Sequence, residues 1–266
     1  MSDRLATLDV DGLVLDMDGV LTVSRRAVPG AVEAIRRLRA AGLPLRVLTS
    51  TTSYTRAELG AALRAGGFAI GDEDILTAAA AAAEYLRTEH PAARVFCLGD
   101  GRAEDLGGVT LVGVDDDPEV VLVSGADASF EFETLNRVYR LLLSGVALVA
   151  MHRNLSWMTD DGVNLDAGAY LLGLERAAGR EAVVTGKPAP GSFETALHGL
   201  GLRPDRVAMV GDDLGNDVVA AQTLGLTGVL VRTGKFREEL LRGAATPPDH
   251  VVDSIADVPR LLGLSD

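Results

Sequence analysis

Two aspartates near the start of the chain, Asp16 and Asp18, have the spacing of a nucleophile and a proton donor for phosphoryl transfer. They follow an apolar run at residues 13–15, which predicts a buried strand, and they precede Gly19, where the chain can bend. With both carboxylates facing one cleft, the first can attack phosphorus while the second protonates the leaving oxygen. An acidic surface turn is the alternative, because the same Asp-x-Asp-Gly pattern occurs at residues 9–12, next to the amino terminus.

Three further residues have groups suited to holding phosphate oxygens. Thr49 and Ser50 follow a predicted strand at residues 45–48 and offer hydroxyls and backbone amides, although such residues also commonly cap the next helix. Lys187 is held between a glycine and a proline, and its ammonium could neutralise both phosphate and the attacking carboxylate. A single lysine of this kind is otherwise a solvated surface charge.

A second acidic segment follows the apolar run at residues 207–210. It contains Asp212, Asp213 and Asp217, and helix capping accounts for only one acid of such a cluster. Gathering these acids beside the first aspartate pair would cost heavily in like-charge repulsion unless a cation were present. Carboxylate oxygens without histidine or thiolate ligands select magnesium, so the sequence predicts a Mg²⁺ site.

The elements that must position these residues follow a repeated pattern of a short apolar run, a polar loop and a helical stretch. Predicted strands at 13–15, 45–48 and 207–210 lead to helices at 30–41, 55–66 and 217–224. A second series has strands at 95–98, 120–123 and 147–151 and helices at 78–88, 132–143 and 169–179. This alternation predicts an α/β fold with a doubly wound parallel sheet, in which ligands bind at the carboxyl ends of the strands. We expect a core of residues 1–78 and 183–266, with residues 79–182 inserted as a second α/β domain.

Composition limits the kinds of partner and location. The 266 residues are 47% hydrophobic, enough for a substantial core, and a formal charge of −13 argues against non-specific binding to nucleic acid or anionic membrane. Cys97 is the only cysteine, which suits a reducing compartment. Residues 1–4 have no apolar signal core, and the apolar window at 141–151 is shorter than the roughly 20 residues that span a bilayer. We therefore expect a cytoplasmic protein.

The motifs, taken in order, resemble those of the haloacid dehalogenase-like (HAD) superfamily of aspartate-nucleophile phosphatases. These motifs are DMDGVLT, LTS, GKP and VGDDLGND, each behind a predicted strand. The interval between Asp16 and Thr49 is too short for a helical cap, whereas the interval between Thr49 and Lys187 accommodates a large α/β cap. That resembles subfamily IIA, the type II cap branch with the p-nitrophenyl phosphatase-like proteins. Residues 51–59 and 230–237 look closest to the phospholysine phosphohistidine inorganic pyrophosphate phosphatase-like subgroup.

The resemblance implies a magnesium-dependent phosphatase that works through an aspartyl-phosphate on Asp16, with Asp18 as acid and then base. It also implies that Mg²⁺ is bound by the Asp16 carboxylate, the Asp18 carbonyl and Asp212, with Asp213 or Asp217 in a supporting role. The same resemblance implies that the phosphoryl oxygens are held by Thr49, Ser50 and Lys187. Many members of the branch carry asparagine where this chain has Ser50, so we expect the hydrogen bonding of that loop to phosphate to differ from theirs.

The resemblance assigns the choice of substrate to the cap. The candidate specificity residues are Asp127, Arg153, Asn154 and Asp166, each of which could equally cap a loop or be solvated. The expected partner is a small phosphorylated molecule whose identity the motifs do not specify, and cap contacts could also form a homodimer.

Two other functions remain open. One is a non-catalytic protein that keeps the fold for binding or regulation, although it would have no need for a repulsive acid cluster. The other is a phosphotransferase or mutase, which ranks lower because the small helical cap of such enzymes has no room here.

Overall fold

Strands and helices alternate along most of the chain in the computed structural model, which describes residues 8–159 and 162–264. The strands are β1 (Gly12–Leu15), β2 (Thr22–Val23), β3 (Arg26–Ala27), β4 (Leu45–Leu48), β5 (Ile75–Leu76), β6 (Arg94–Leu98), β7 (Thr110–Leu111), β8 (Val120–Val123), β9 (Ala147–Ala150), β10 (Ser156–Thr159), β11 (Gly162–Leu165), β12 (Val183–Val184), β13 (Val207–Gly211), β14 (Thr227–Val231) and β15 (His250–Val252). The helices are α1 (Ala31–Ala40), α2 (Arg56–Ala65), α3 (Ala78–Glu89), α4 (Phe132–Ser144), α5 (Ala167–Ala178), α6 (Pro190–Leu200), α7 (Ala220–Thr223), α8 (Glu238–Arg242) and α9 (Val258–Leu261). Within the described ranges, none of the helices has both the length and the apolar character to cross a membrane. Residues 1–4, on which the expected lack of a signal core rests, lie outside these ranges.

The described residues form two compact units. The first contains the chain up to Thr49, Arg56–Leu76 and the chain from Ser192 onward. Its sheet has the strand order β15-β14-β13-β1-β4-β5, and all of these neighbours pair in parallel. Along the chain, β4 and β5 are added on one side of β1, and β13, β14 and β15 are later added on its other side. In such a doubly wound sheet, the reversal between β1 and β13 is where ligands bind.

The central strand β1 is buried on both faces, which explains why its sequence is continuously apolar rather than alternating. Leu13 and Leu15 pack in one cluster with the buried face of α1, whose Ile35 and Leu38 are fully covered. Burial of one such leucine side chain contributes about 2 kcal/mol. The packing gives the loop after β1 a rigid base.

The second unit contains Ser50–Thr55 and Thr77–Gly191. Its parallel sheet has the order β12-β9-β8-β6-β7, and β10 and β11 form a separate antiparallel hairpin. Alternate residues of β8 pack into two different clusters: Val121 and Val123 lie with α4 and α5, and Val120 and Leu122 lie with α3. This unit is therefore also a layered α/β structure.

Two helices begin at positions different from those predicted, one because an aspartate side chain caps it and the other because a π-helical turn precedes it. The helix predicted from residue 169 begins at Ala167, where Asp166 accepts a hydrogen bond from the Ala167 amide at 2.7 Å. The helix predicted from residue 217 is preceded by a π-helical turn over Leu214–Val219. There the Asp213 carbonyl accepts hydrogen bonds from the amides of both Asp217 and Val218, at 3.0 and 3.3 Å.

The second unit also contains a buried histidine at the end of β9. His152 is 3% exposed, its Nδ1 accepts a hydrogen bond from the Asn154 amide at 3.2 Å, and its Nε2 lies 3.9 Å from Asp166 Oδ2. Burial lowers the pKa of His152, and the charge of Asp166 opposes this only partly. The neutral imidazole is therefore the form that the folded unit accommodates.

This pKa shift predicts a loss of stability in acid. Because the pKa of His152 is lower in the folded than in the unfolded chain, its contribution is fully present above about pH 6.5 and falls as pH drops, by up to about 1.4 kcal/mol per pH unit. Urea unfolding across pH 5 to 8 should show a shallower pH dependence for His152→Asn, which keeps an acceptor near Nδ1 without titrating. His198→Asn, at an exposed histidine, is the matched control. Equal slopes for wild type and His152→Asn would contradict the assignment.

Candidate active site

Two site aspartates are brought together by strand pairing at the centre of the first unit. In the parallel register of β1 and β13, Leu15 lies beside Val210, and the Asp16 amide donates to the Val210 carbonyl at 2.9 Å. Asp16 and Asp212 therefore emerge from neighbouring strands at the same edge of the sheet. The strand order of the sheet also reverses between β1 and β13, and ligands of doubly wound sheets bind at such a reversal.

Three carboxylates meet at this edge. Asp16, Asp212 and Asp217 each offer one oxygen, and these oxygens all lie within 4.8 Å of one another. The side chains are nearly inaccessible, at 7%, 1% and 1% exposure. Three negative charges this close and this buried repel one another strongly, so a bound cation would stabilise the folded site. A donor set of carboxylate oxygens alone suits a hard divalent cation, and the residues present therefore fit Mg²⁺.

Asp217 reaches this cluster because the backbone beneath it carries no side chain. A Cβ atom placed on Gly211 would lie 2.3 Å from the Asp217 Cβ, so only glycine fits at this position. The Asp213 amide also donates to Asp217 Oδ2 at 3.2 Å, which helps to fix the carboxylate.

The neighbouring acid Asp213 has a different local role. Its Oδ1 accepts hydrogen bonds from the amides of Gly215 and Asn216, at 3.1 and 3.0 Å, and its Oδ2 accepts one from the Asn216 side chain at 2.9 Å. It is the N-cap of the π-helical turn. Of the two acids expected in a supporting role, Asp217 thus lies in the carboxylate cluster and Asp213 caps the element that carries it.

Asp18 lies in the turn after β1 and is exposed. The turn is closed by the Gly19 amide, which donates to the Thr22 carbonyl at 2.6 Å, and the Thr22 hydroxyl lies 3.4 Å from Asp18 Oδ1. Asp16 thus belongs to the buried carboxylate cluster, whereas Asp18, two residues later, is accessible to solvent. Contact between the Asp18 carbonyl and a metal stays a prediction.

Asp212 is also in contact with the loop after β14, to which the sequence motifs assign no role in the site. The backbone amide of Lys235 donates to Asp212 Oδ2 at 2.7 Å. Gly19 lies so close that a Cβ on it would be 1.8 Å from the same oxygen. No local pattern signals this contact, because Lys235 and Asp212 are 23 residues apart in the chain.

The predicted phosphate-holding residues are distributed between the two units. Thr49 belongs to the first unit, where it is buried, follows the strand β4 that neighbours β1, and donates its amide to the Leu76 carbonyl at 3.1 Å. Ser50 and Lys187 belong to the second unit, and Lys187 is 7% exposed. Convergence of these three groups on one phosphate stays a prediction.

The segment that carries Ser50 is anchored within the second unit. The Arg102 guanidinium donates two hydrogen bonds to the Ser53 carbonyl, at 2.8 and 2.5 Å. A Cβ on Gly125 would lie 2.3 Å from the Thr52 hydroxyl, so the backbone after β8 is in close contact with this segment. The conformation around Ser50 thus depends on residues of the inserted region.

The four candidate specificity residues have local partners in the second unit. Arg153 forms a bidentate ion pair with Glu175, at 2.7 and 2.8 Å, and Asp166 caps α5 and faces His152. Asp127 accepts hydrogen bonds from the amide and hydroxyl of Ser129. The Asn154 amide donates to His152. These contacts explain the residues structurally, and their role in specificity stays a prediction.

The Asp-x-Asp-Gly pattern at residues 9–12 has a simple structural explanation. Arg206, immediately before β13, forms ion pairs with Asp9 and Asp11 at 3.1 and 2.8 Å. Hydrogen bonds from Arg206 lower the pKa of Asp11. These exposed acids tie the start of β1 to the start of β13, at the opposite end of the strands from Asp16.

Two family models match the chain, one described as haloacid dehalogenase-like hydrolase over residues 13–107 and one as HAD-hydrolase-like over residues 184–258. Human haloacid dehalogenase-like hydrolase domain-containing protein 2 is 36% identical over 251 residues, covering 91% of this chain and 95% of that protein. The phospholysine phosphohistidine inorganic pyrophosphate phosphatase of Danio rerio is 36% identical over 254 residues, covering 93% of this chain and 92% of that protein.

Solved structures with the same fold include phosphatases. A p-nitrophenyl phosphatase from Archaeoglobus fulgidus superposes with a TM-score of 0.88 at 31% identity, covering 95% of this chain and 99% of that one. A glycerol phosphate phosphatase from Mycobacterium tuberculosis, solved in complex with magnesium, superposes with a TM-score of 0.84 at 26% identity, covering 95% of this chain and 77% of that one.

The different positions of Asp217 and Asp213 predict different responses to magnesium. Asp217→Asn removes one of three repelling charges, so it should raise the free energy of unfolding in EDTA and weaken Mg²⁺ binding about tenfold, cutting Mg²⁺-induced stabilisation by about 1.4 kcal/mol. Asp213→Ala should instead lose about 1 kcal/mol of stability through the missing cap and keep the Mg²⁺ response. Urea unfolding with EDTA or with saturating Mg²⁺ measures both. Identical Mg²⁺ responses in the two variants would refute the distinction.

Proposed function

The chain belongs to the haloacid dehalogenase-like hydrolase family, and we propose that it is a magnesium-dependent phosphatase that hydrolyses a small phosphorylated metabolite through an aspartyl-phosphate intermediate. The relatives confirm the predicted family and the α/β fold with an inserted cap. The observation that carries the proposal is the buried cluster of Asp16, Asp212 and Asp217, with Asp18 two residues from its first member.

In the proposed reaction Asp16 is the nucleophile. A carboxylate oxygen of Asp16 attacks phosphorus, the bond from phosphorus to the leaving oxygen breaks, and an acyl phosphate remains on the enzyme. Water then attacks the same phosphorus, which releases inorganic phosphate and regenerates the carboxylate. The hydrogen bond from the Asp16 amide to β13 supports this role, because it fixes the backbone from which the nucleophile projects.

Asp18 supplies and recovers the proton in this scheme. Its carboxylic acid protonates the departing oxygen in the first step, and its carboxylate accepts a proton from the attacking water in the second. Exposure of Asp18 supports the assignment, since a leaving group and a water molecule can both reach its carboxyl group.

The remaining groups of the scheme bind charge. Asp16, Asp212 and Asp217 would hold Mg²⁺, together with the expected carbonyl of Asp18. When bound, Mg²⁺ would offset the negative charge of the carboxylates and of the phosphoryl group. Thr49, Ser50 and Lys187 would bind the phosphoryl oxygens with hydroxyl, amide and ammonium donors.

The raised pKa of Cys97 supports an aspartate rather than a cysteine as the nucleophile. Burial raises the pKa of Cys97 to about 11, so the sulfur is protonated near neutral pH, whereas phosphatases that use cysteine require a thiolate. The same single cysteine and the net charge of −13 support a cytoplasmic enzyme without a nucleic-acid or membrane partner. A homodimer formed through the cap stays a prediction.

The substrate class is proposed from the phosphatases that this chain resembles. Their names refer to p-nitrophenyl phosphate, glycerol phosphate and phosphorylated lysine, histidine or pyrophosphate. A panel of small phosphate esters, phosphoramidates and pyrophosphate therefore covers the substrate range to be tested.

Replacement of the nucleophile is the most direct test. Asp16→Asn should reduce magnesium-dependent phosphate release from p-nitrophenyl phosphate by more than about 1,000-fold, because a carboxamide cannot form the acyl phosphate. The matched control is Asp9→Asn, at the same place in the Asp-x-Asp-Gly pattern of residues 9–12, which should keep wild-type turnover.

Two results would count against the proposal. Equal activity of Asp16→Asn and wild type would exclude Asp16 as the nucleophile. Failure of the wild-type protein to release phosphate from any member of the panel would favour the non-catalytic binding function.

The acid role of Asp18 predicts a dependence on the leaving group. Asp18→Asn should lower kcat/KM by roughly 100-fold or more on glycerol phosphate but less on p-nitrophenyl phosphate, whose leaving group needs little protonation. Mg²⁺ affinity measured by calorimetry should change little, since the Asp18 carboxylate is not expected to bind the metal. Equal losses on both substrates, or loss of Mg²⁺ binding, would contradict the acid role.

A further inference from the structure

The segment Thr233–Lys235, called here the 233–235 loop, follows β14 and lies against two parts of the candidate site. Its Lys235 amide donates to Asp212 Oδ2 at 2.7 Å. Its Thr233 hydroxyl donates to the carbonyl of Gly19, in the turn that carries Asp18. The 233–235 loop thus forms a hydrogen bond with the backbone of the Asp18 turn and another with the side chain of Asp212.

The contact is tight enough to require glycine on both sides of Asp212. Gly234 has a φ of +59°, and a Cβ on it would lie 1.9 Å from Asp212 Oδ2 and 2.6 Å from the Gly19 Cα. Gly19 has a φ of +97°, and a Cβ on it would lie 1.8 Å from the same oxygen. The Asp212 carboxylate therefore lies against the backbone of two glycines, Gly19 and Gly234.

We propose that the 233–235 loop positions the Asp212 carboxylate for metal binding, with Gly234 and Thr233 as positioning residues. This inference rests on the proposed function, since it concerns the same Mg²⁺ site. Three neighbouring carboxylates repel one another, so Asp212 would otherwise rotate away from Asp16 and Asp217. A charge-assisted hydrogen bond to Oδ2 and the two glycine backbones restrict that rotation before the metal arrives.

Such restraint should appear as metal affinity. A ligand held in its binding orientation loses less conformational freedom when the metal binds, and groups that orient metal ligands typically change affinity by about 10- to 100-fold. A loop with a purely structural role would change stability alike in the presence and absence of Mg²⁺.

The first experiment compares Gly234→Ala with Gly201→Ala. Both glycines have positive φ, +59° and +67°, so both alanines bear left-handed backbone strain, but a Cβ on Gly201 has no neighbour within 4 Å. Calorimetric titration with MgCl₂ in the absence of substrate should give a Kd at least about tenfold higher for Gly234→Ala. Gly201→Ala should bind Mg²⁺ within about twofold of wild type.

A second pair of variants covers the case in which Gly234→Ala does not fold. Thr233→Val removes the hydroxyl that donates to Gly19 while keeping the shape of the side chain, and it should weaken Mg²⁺ binding. Thr233→Ser restores a hydroxyl and should recover affinity to within about twofold of wild type. Thermal unfolding in EDTA verifies that each variant is folded before titration.

The outcomes separate the inference from the proposed function. If wild type binds Mg²⁺ and releases phosphate, but Gly234→Ala and Thr233→Val both bind Mg²⁺ as wild type does, the positioning role is overturned and the proposed function stands. If folded wild type binds no Mg²⁺, the proposed function is overturned, and the inference with it.

Discussion

The structure of the first unit depends on holding three buried carboxylates within a few ångströms of one another. Asp16, Asp212 and Asp217 come from two strand ends and one helical turn, and each would be more stable in water than beside the others. The packing of β1 and β13 stabilises the unit enough to offset this repulsion. Carboxylates whose proximity is unfavourable to folding are in this way already in place to bind a cation and, in the case of Asp16, to attack a phosphoryl group.

Glycine residues and backbone amides contribute to the shape of this cluster. Gly211 admits Asp217, Gly19 lies against Asp212, and amides of the neighbouring loops donate to the carboxylates. A backbone donor cannot change rotamer, so it fixes direction more firmly than a lysine or arginine would. It also adds no net positive charge that would compete with a metal ion.

Local sequence patterns predict the features that depend on local physics. The runs of β1, β4, β8 and β13 were identifiable because buried parallel strands are continuously apolar, and the acids were identifiable because they follow such runs. The two-residue strand β5 was not predicted, because it forms only through pairing with β4, which is distant in the chain. The same holds for the separation of Asp213 from Asp217, which depends on a π-helical turn. The approach of Gly234 to Asp212 is also a tertiary contact without a local signal.

The adjacency of β1 and β13 has a consequence for synthesis on the ribosome. The chain emerges from its amino end, so β1 and β4 appear early, whereas β13 follows only after the entire inserted unit has been made. Until then one edge of β1 has no partner, and long-range parallel pairing of this kind is slow to form. The run Thr77–Gly191 is nearly the whole of its unit and can fold during this interval. The acid cluster can thus assemble only after the inserted unit has been made, and a chain that stalls before β13 would carry Asp16 without Asp212 and Asp217.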